Sequence, residues 1–271
     1  MRKFVLIFAI ILTFFGCSKK EQPKEIAASI YPLVWTVKQV YPSYEVYQII
    51  KPGVNPHLYD LTPQDALHIE RAVKVFLIGN LEPFAPKIAP NKRVEVVELL
   101  NLPKSSNPHY WLSPKRWLKF VEKLNKVQGL NLDLQKWQKV VNRLKELDKL
   151  YEQKLSAIKD RVEIIMVHPA FYWTCKDYHL HVLAILEPKG GLGISPKTLI
   201  ELKGIINQIK DKKILVLIAS INPHAREVAK TLEEISPKVK VVALDPIVSH
   251  TQGDYVKIME DNLNKILTAS R

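Results

Sequence analysis

Three histidines and one aspartate stand where a fold could bring them together around a metal ion. His168 directly follows the apolar run Val162–Val167 and precedes Pro169, and Asp245 follows the run Val239–Leu244 and precedes Pro246. His57 lies in the loop Lys51-Pro52-Gly53-Val54-Asn55-Pro56-His57, which leaves the run Val46–Ile50. If these runs are strands of open α/β sheets, all three side chains sit outside carboxyl ends, where such sheets collect their ligands. His109 sits in Asn107-Pro108-His109-Tyr110-Trp111, just ahead of a helix that starts near Pro114. Each proline fixes its own φ and restricts the residue before it, so this loop is stiff. Three imidazoles and a carboxylate form a borderline-soft set of four donors, suited to Zn²⁺ in tetrahedral geometry. Taken singly, each residue has an ordinary explanation as a loop or capping residue, so spacing alone leaves the site open.

The other chemistry-bearing residues narrow the choice. Cys17 and Cys175 are the only cysteines, so a cysteine-rich zinc site is excluded and any metal must be held by His and carboxylates. Cys175 reads as a buried thiol. His68 falls in a helical stretch, His224 at a helix start, and His179 and His181 flank Leu180 in a strand-like alternation. His250 follows Asp245 closely enough for contact with the site to stay open. Trp111, Trp117 and Trp173 read as core or interlobe packing that would dry a neighbouring cleft. A metal-dependent hydrolase would need a free coordination position and a nearby base. No His-Glu-x-x-His pattern, serine nucleophile elbow or phosphate loop occurs, so the chain does not read as an enzyme.

These residues need rigid elements to position them. Short β-type runs recur at Ile26–Ile30, Val46–Ile50, Val73–Ile78, Val94–Val97, Val162–Val167, Val182–Leu186, Ile214–Ala219 and Val239–Leu244. Helical patterns lie between them at Pro63–Ala72, Pro114–Lys126, Pro196–Ile209 and His224–Ile235. Alternating strands and helices with continuously apolar strands predict mostly parallel sheets flanked by helices. The alternation breaks once. From Leu132 to Lys159, Trp137, Val140, Val141, Leu144, Leu147, Tyr151, Leu155 and Ile158 recur at helical spacing without Gly or Pro. That predicts a helix of roughly 40 Å. With four strand runs before it and four after, the chain reads as two α/β lobes joined by one long rigid helix. The lobes would be residues 25–127 and 161–271, with the linking helix within 128–160.

The start of the chain reads as an export signal. Arg2 and Lys3 precede the uncharged run Phe4–Phe15, which is shorter than the roughly 20 residues a spanning helix needs. Phe14-Phe15-Gly16-Cys17 resembles a bacterial lipoprotein cleavage site, although Phe14 stands where Leu is usual. Residues 1–16 would then be removed, Cys17 lipidated, and 17–24 left as a polar tether to the membrane. The expected location is the periplasm or the outer face of the cell membrane. The net charge is +13, but the lysines are spread along the chain without a dense basic block or interleaved aromatics. Attraction to an anionic membrane or a simply solvated surface fits that distribution, and nucleic acid is not an expected partner.

The motifs resemble a known family. Pro52-Gly53-Val54-Asn55-Pro56-His57-Leu58-Tyr59-Asp60-Leu61-Thr62-Pro63-Gln64-Asp65, Asn107-Pro108-His109-Tyr110-Trp111-Leu112-Ser113-Pro114, Val167-His168-Pro169-Ala170-Phe171-Tyr172 and Leu244-Asp245-Pro246-Ile247 occur in that order. They are similar to the four metal-ligand motifs of the zinc- and manganese-type (cluster A-I, ZnuA/TroA-like) substrate-binding proteins of metal-uptake ABC transporters. The stretch from Asp254-Tyr255 to Leu267 resembles that family's closing helix. The resemblance implies a monomer of two α/β lobes joined by a rigid helix. It implies His57, His109, His168 and Asp245 as metal ligands, two from each lobe, and an ABC permease as partner. Zn²⁺ is the favoured cargo because His168 stands where manganese-selective members often carry Glu; Mn²⁺ or Fe²⁺ is the alternative. Asn55 replaces the usual Asp, an acidic residue common near Ser220 is missing, and the loop from Glu187 to Leu192 departs from the usual form. Residues 101–108 contain no histidine, so the histidine-rich loop of many zinc-uptake members is absent.

Overall fold

Residues 24–187 and 195–271 are described by a computed structural model of the chain. The expected export signal, Cys17, the expected tether up to residue 23 and most of the atypical 187–192 loop lie outside these residues.

Each of the eight apolar runs contains a strand, with ends shifted by at most a residue or two. The first lobe comprises β1 (Glu25–Ala28), α1 (Tyr31–Val40), β2 (Glu45–Gln48), α2 (Pro63–Arg71), β3 (Lys74–Leu77), β4 (Arg93–Glu95), the short α3 (Val96–Leu99) and α4 (Pro114–Glu122). The long connecting helix is α5 (Leu134–Ser156). The second lobe follows with β5 (Val162–Met166), α6 (Tyr172–Asp177), β6 (Val182–Ile185), α7 (Pro196–Gln208), β7 (Lys213–Ala219), α8 (Pro223–Glu233), β8 (Val239–Leu244) and α9 (Tyr255–Ala269). The sheets run β2-β1-β3-β4 and β6-β5-β7-β8, and every pairing is parallel. The two lobes thus repeat one topology. In each, the chain reverses direction across the first strand, which makes the carboxyl end of β1 or β5 a switch point for ligands.

Alternation along β5 and β7 joins the lobes. Ile164, Met166, Leu215 and Leu217 face a core continuous with the first lobe, α5 and α9, whereas Ile165, Val167, Ile214, Val216 and Ile218 face a separate core under α7 and α8. Both faces are covered, which is why these strands carry no polar alternation. The linking helix is shorter than its apolar pattern suggests, because both of its ends are set by caps. Asp133 caps the first turn by accepting the Lys136 N–H at 3.0 Å, and Ala157 closes the last. Its 23 residues span about 35 Å. Val140, Val141, Leu144, Leu147, Tyr151 and Leu155 form its buried stripe, and Tyr151 donates to the Met259 carbonyl of α9 at 2.6 Å. A connector packed over its whole length against both lobes is a strut rather than a hinge.

Candidate metal centre

His168 extends β5. Its backbone stays extended (φ −106°, ψ 138°), so the strand alternation that sends Ile164 and Met166 toward the first lobe sends His168 there too. His57 stands in a tight turn over Pro56–Leu58, opened by Asn55, whose side-chain oxygen accepts the His57 N–H at 3.0 Å. Asn55 therefore makes this contact with its amide oxygen, as the family's usual aspartate could with a carboxylate. Gly53, at φ +82°, turns the chain into this loop.

His109 is buried, and its orientation is fixed by Asn107. The Asn107 Oδ1 atom accepts the His109 backbone N–H at 3.0 Å and lies 2.9 Å from its ring Nδ1. An amide oxygen only accepts, so Nδ1 carries the proton and the Nε2 lone pair is left free. The same Asn107 side chain donates to the Pro169 carbonyl at 2.8 Å, and Trp173 Nε1 donates to the Asn107 carbonyl at 2.8 Å. One residue thus aims an imidazole of the first lobe and ties its loop to the residue that follows His168. Trp111, packed against the His109 ring at 5.2 Å between centroids, donates Nε1–H to the Pro246 carbonyl at 2.8 Å. That bond ties the His109 loop to the Asp245 loop.

The three histidines converge: each offers a ring nitrogen, and these nitrogens all lie within 4.8 Å of one another. His168 Nε2 and His109 Nε2 are 3.3 Å apart. Burial lowers the pKa of His57. Burial, with the neighbouring His168 and His57, holds His109 well below the usual imidazole range. Burial and the proximity of His57 push His168 down to about 4, against a small opposing effect of Glu187. All three rings are therefore neutral at pH 7, the form that binds a metal.

Asp245 is not within that group. It follows β8 at the same end of the sheet: pairing of Met166 with Leu217 and of Ala219 with Leu244 brings Leu244 level with His168, two strands away, and Asp245 stands one residue further on. Adjacent strands lie roughly 5 Å apart, so the two backbones are about 10 Å apart. The Asp245 carboxylate is engaged locally, Oδ1 accepting the Ile247 N–H at 2.7 Å and Oδ2 contacting His250 Nε2 at 2.8 Å. Asn262 of α9 holds the Asp245 backbone from both sides, its Oδ1 accepting the N–H and its Nδ2 donating to the carbonyl, each at 2.8 Å.

The remaining histidines are accounted for by local partners. His68 stacks on Tyr47 at 3.6 Å and contacts Glu25 at 2.6 Å. His181 pairs with Glu163, and His224 contacts Glu187 at 2.8 Å. His179 occupies a left-handed turn at φ 60° rather than a strand. Cys175 is fully buried, and burial pushes its thiol up to about 12, which makes it unreactive. Sequence reasoning did not find Asn107 as the residue that orients His109; it left contact of His250 with the site open, and the structure pairs that ring with Asp245. The only signal for either was its nearness in the chain to a candidate ligand.

No described helix is long and apolar enough to cross a membrane. Known proteins place this architecture. The chain is 26% identical over 314 aligned positions to the zinc-binding lipoprotein AdcA of Streptococcus pneumoniae, covering 98% of this chain and 60% of that protein. It therefore spans about 60% of the length of that relative. The fold matches the Zn(II)-bound ZnuA-like domain of Streptococcus pneumoniae AdcA with a TM-score of 0.69 at 24% identity, over 92% of this chain and 99% of the domain. It also matches the substrate-binding protein FpvC of Pseudomonas aeruginosa, in complex with Mn²⁺, with a TM-score of 0.70 at 20% identity over 92% and 99% of the two chains. Residues 26–269, nearly all of the described structure, match the family described as the periplasmic component A of zinc-uptake complexes, ZnuA, and the chain belongs to that family, a class of metal-binding transport components rather than enzymes.

Proposed function

We propose that this chain captures Zn²⁺ outside the cytoplasm and delivers it to the permease of an ABC transporter. The observation that carries the reading is the convergence of His57, His109 and His168, from both lobes, with their ring nitrogens within 4.8 Å of one another. Neutral imidazoles favour a borderline-soft divalent ion, and Asp245 is the carboxylate that completes the set. Four protein donors leave no position for a reacting water, which suits a carrier. With α5 packed along both lobes, release to the permease proceeds through a small relative shift of the lobes rather than a wide opening. Mn²⁺ is the second cargo, favoured by the Mn²⁺-bound FpvC structure of the same fold. Cys17 is the proposed lipid attachment point, which would hold the carrier at the outer face of the membrane.

The test is a titration of the purified, metal-stripped full chain with Zn²⁺ and Mn²⁺, beside His57→Ala, His109→Ala, His168→Ala and Asp245→Ala. Each histidine variant should lose on the order of 100-fold or more in zinc affinity, beyond the 10- to 100-fold typical of partners one shell further out. Undiminished affinity in the three histidine variants would remove the site, and tighter binding of Mn²⁺ than of Zn²⁺ would reassign the cargo. Fatty-acid labelling that persists in Cys17→Ser would remove the anchor.

A further inference from the structure

Asp245, the fourth donor of the proposed set, is paired with His250, which lies outside that set. Both oxygens of this carboxylate are engaged within its own turn, Oδ1 by the Ile247 N–H and Oδ2 by His250. A carboxylate only accepts, so His250 Nε2 is the proton-bearing nitrogen of the 2.8 Å contact. The turn itself is constrained: Ile247 is a β-branched, fully buried residue at φ 67°, a region such side chains rarely occupy. Sparsely populated backbone conformations persist only where the surroundings over-determine them, and they gather at ligand clamps.

His250 is itself held from the other lobe. Its carbonyl accepts from Gln48 Nε2 at 3.3 Å, and its ring lies against the Tyr31 ring at 5.8 Å between centroids. Tyr31 also donates its hydroxyl to the Gly253 carbonyl at 2.6 Å, beyond the same turn. Gln48 ends β2 and Tyr31 begins α1, so His250 is fixed by first-lobe elements while it holds a second-lobe carboxylate. Its backbone is thus tied to the first lobe through Gln48, and Tyr31 flanks the ring that contacts Asp245.

From this arrangement we propose that His250 is a positioning residue that sets metal preference: its ring occupies the approach to Oδ2, so that Asp245 meets the metal as a one-oxygen donor through Oδ1, which keeps a second lone pair beside the Ile247 N–H. Resting on the reading of the chain as a metal carrier with Asp245 as a ligand, the inference adds what decides between metals. Three imidazole nitrogens and one carboxylate oxygen give the four-coordinate set that Zn²⁺ prefers. A carboxylate released to offer both oxygens would give five donors and a harder site, which favours Mn²⁺. His250 withholds the fifth donor, and hydrogen-bonding partners of this kind commonly change metal affinity by 10- to 100-fold.

The test titrates the metal-stripped full chain with Zn²⁺ and Mn²⁺ and records the visible spectrum of the Co²⁺-loaded form, for the parent, His250→Leu and His250→Gln. In His250→Leu the ratio of zinc to manganese affinity should fall by about 10-fold or more, and the intense tetrahedral Co²⁺ bands should weaken. His250→Gln, whose amide can donate to the same oxygen, should keep both the ratio and the bands close to the parent. Equal losses for both metals in His250→Leu, or an unchanged ratio, would overturn the inference. Should His250→Leu fail to fold, His250→Asn replaces it, since its shorter amide cannot reach Oδ2 and should behave as Leu does. X-ray absorption of the Zn-loaded parent gives a reading free of any variant: four light-atom neighbours are expected, and five would overturn the proposal. A parent chain that binds neither metal would fail the carrier reading itself, whereas a zinc-selective parent whose selectivity survives loss of His250 would fail this inference alone.

Discussion

His109 Nε2 and His168 Nε2, contributed by opposite lobes, face each other at 3.3 Å. Two nitrogens each about 2.0–2.1 Å from a tetrahedral zinc ion are about 3.3–3.4 Å apart. The pair is therefore already set at the separation that zinc requires, and binding needs little rearrangement of these two rings. Such preorganisation has to be maintained by other contacts, because each ring alone could rotate about its side-chain bonds.

Asn107 supplies one of those contacts. Asn107→Ala should release the His109 ring from its single tautomer and cut the tie to the Pro169 carbonyl. Zinc affinity should fall by about 10- to 100-fold, with the fold retained. Nitrogen-15 imidazole NMR of the metal-stripped protein should show His109 as the Nδ1–H form in the parent and as a mixture in the variant.

The depressed histidine pKa values determine the pH dependence. A proton competes with zinc only where the folded ring is protonated, and burial has pushed His168 down to about 4. The His168 contribution to zinc affinity should accordingly stay nearly flat from pH 7.5 to about 5 and then fall as pH approaches 4. Calorimetry at pH 7 in buffers of different ionisation enthalpy should report almost no histidine-derived protons released. The sign for stability is the same: unfolded imidazoles take up protons near 6.5 and the buried ones do not. The metal-stripped protein should therefore lose stability as pH drops from about 6.5 toward 4, as read by denaturant midpoints.

Trp111→Phe should be felt in both lobes. The substitution leaves ring bulk in place but removes the donor to the Pro246 carbonyl, a bond 2.8 Å long that links the His109 and Asp245 loops. Leaving a buried carbonyl without its partner costs about 1–3 kcal/mol. Urea unfolding should show that loss, and stopped-flow chelation should show faster zinc release than in the parent.

Asp65 holds the segment just beyond the His57 loop. Burial disfavours its charge, but hydrogen bonds from the Thr62 hydroxyl and N–H, the Tyr59 hydroxyl and the Tyr47 hydroxyl outweigh this and keep its carboxyl below the usual range. The stabilisation is present at neutral pH and is lost as pH falls through the lowered pKa. Asp65→Ala leaves the Tyr59 hydroxyl to its weaker contact with the Ile49 carbonyl at 3.2 Å and should cost at least about 2 kcal/mol. Denaturation at pH 7 checks the magnitude. A smaller difference from the parent at pH 3 checks the sign.

The strands and the helix between the lobes were legible in the sequence because each depends on local pattern, whereas the three histidines that converge were singled out among eight by their motifs' resemblance to a family. Apolar runs such as Val162–Val167 form strands wherever both sheet faces are covered, and proline-flanked residues such as His168 end them. The extent of α5 was less legible, since its apolar stripe continues to Ile158 although the Asp133 and Ala157 caps confine the helix to Leu134–Ser156. His179, which reads as part of a strand-like alternation, instead turns through φ 60° ahead of β6.

By itself, then, the sequence determined which residue types stand at or near the carboxyl ends of the strands, and so which nitrogen-rich set of side chains was a candidate for a divalent metal. Tertiary structure alone decided how those groups are used. It brought three rings from two lobes to within 4.8 Å, set one of them through Asn107, and turned Asp245 toward His250. The physical reason is that a ligand's chemistry belongs to its side chain, whereas its aim depends on hydrogen bonds and packing between segments far apart in the chain. Trp111 with Pro246, Tyr31 with Gly253 and Gln48 with His250 are such contacts, and none is encoded in the local sequence around the residue that it positions.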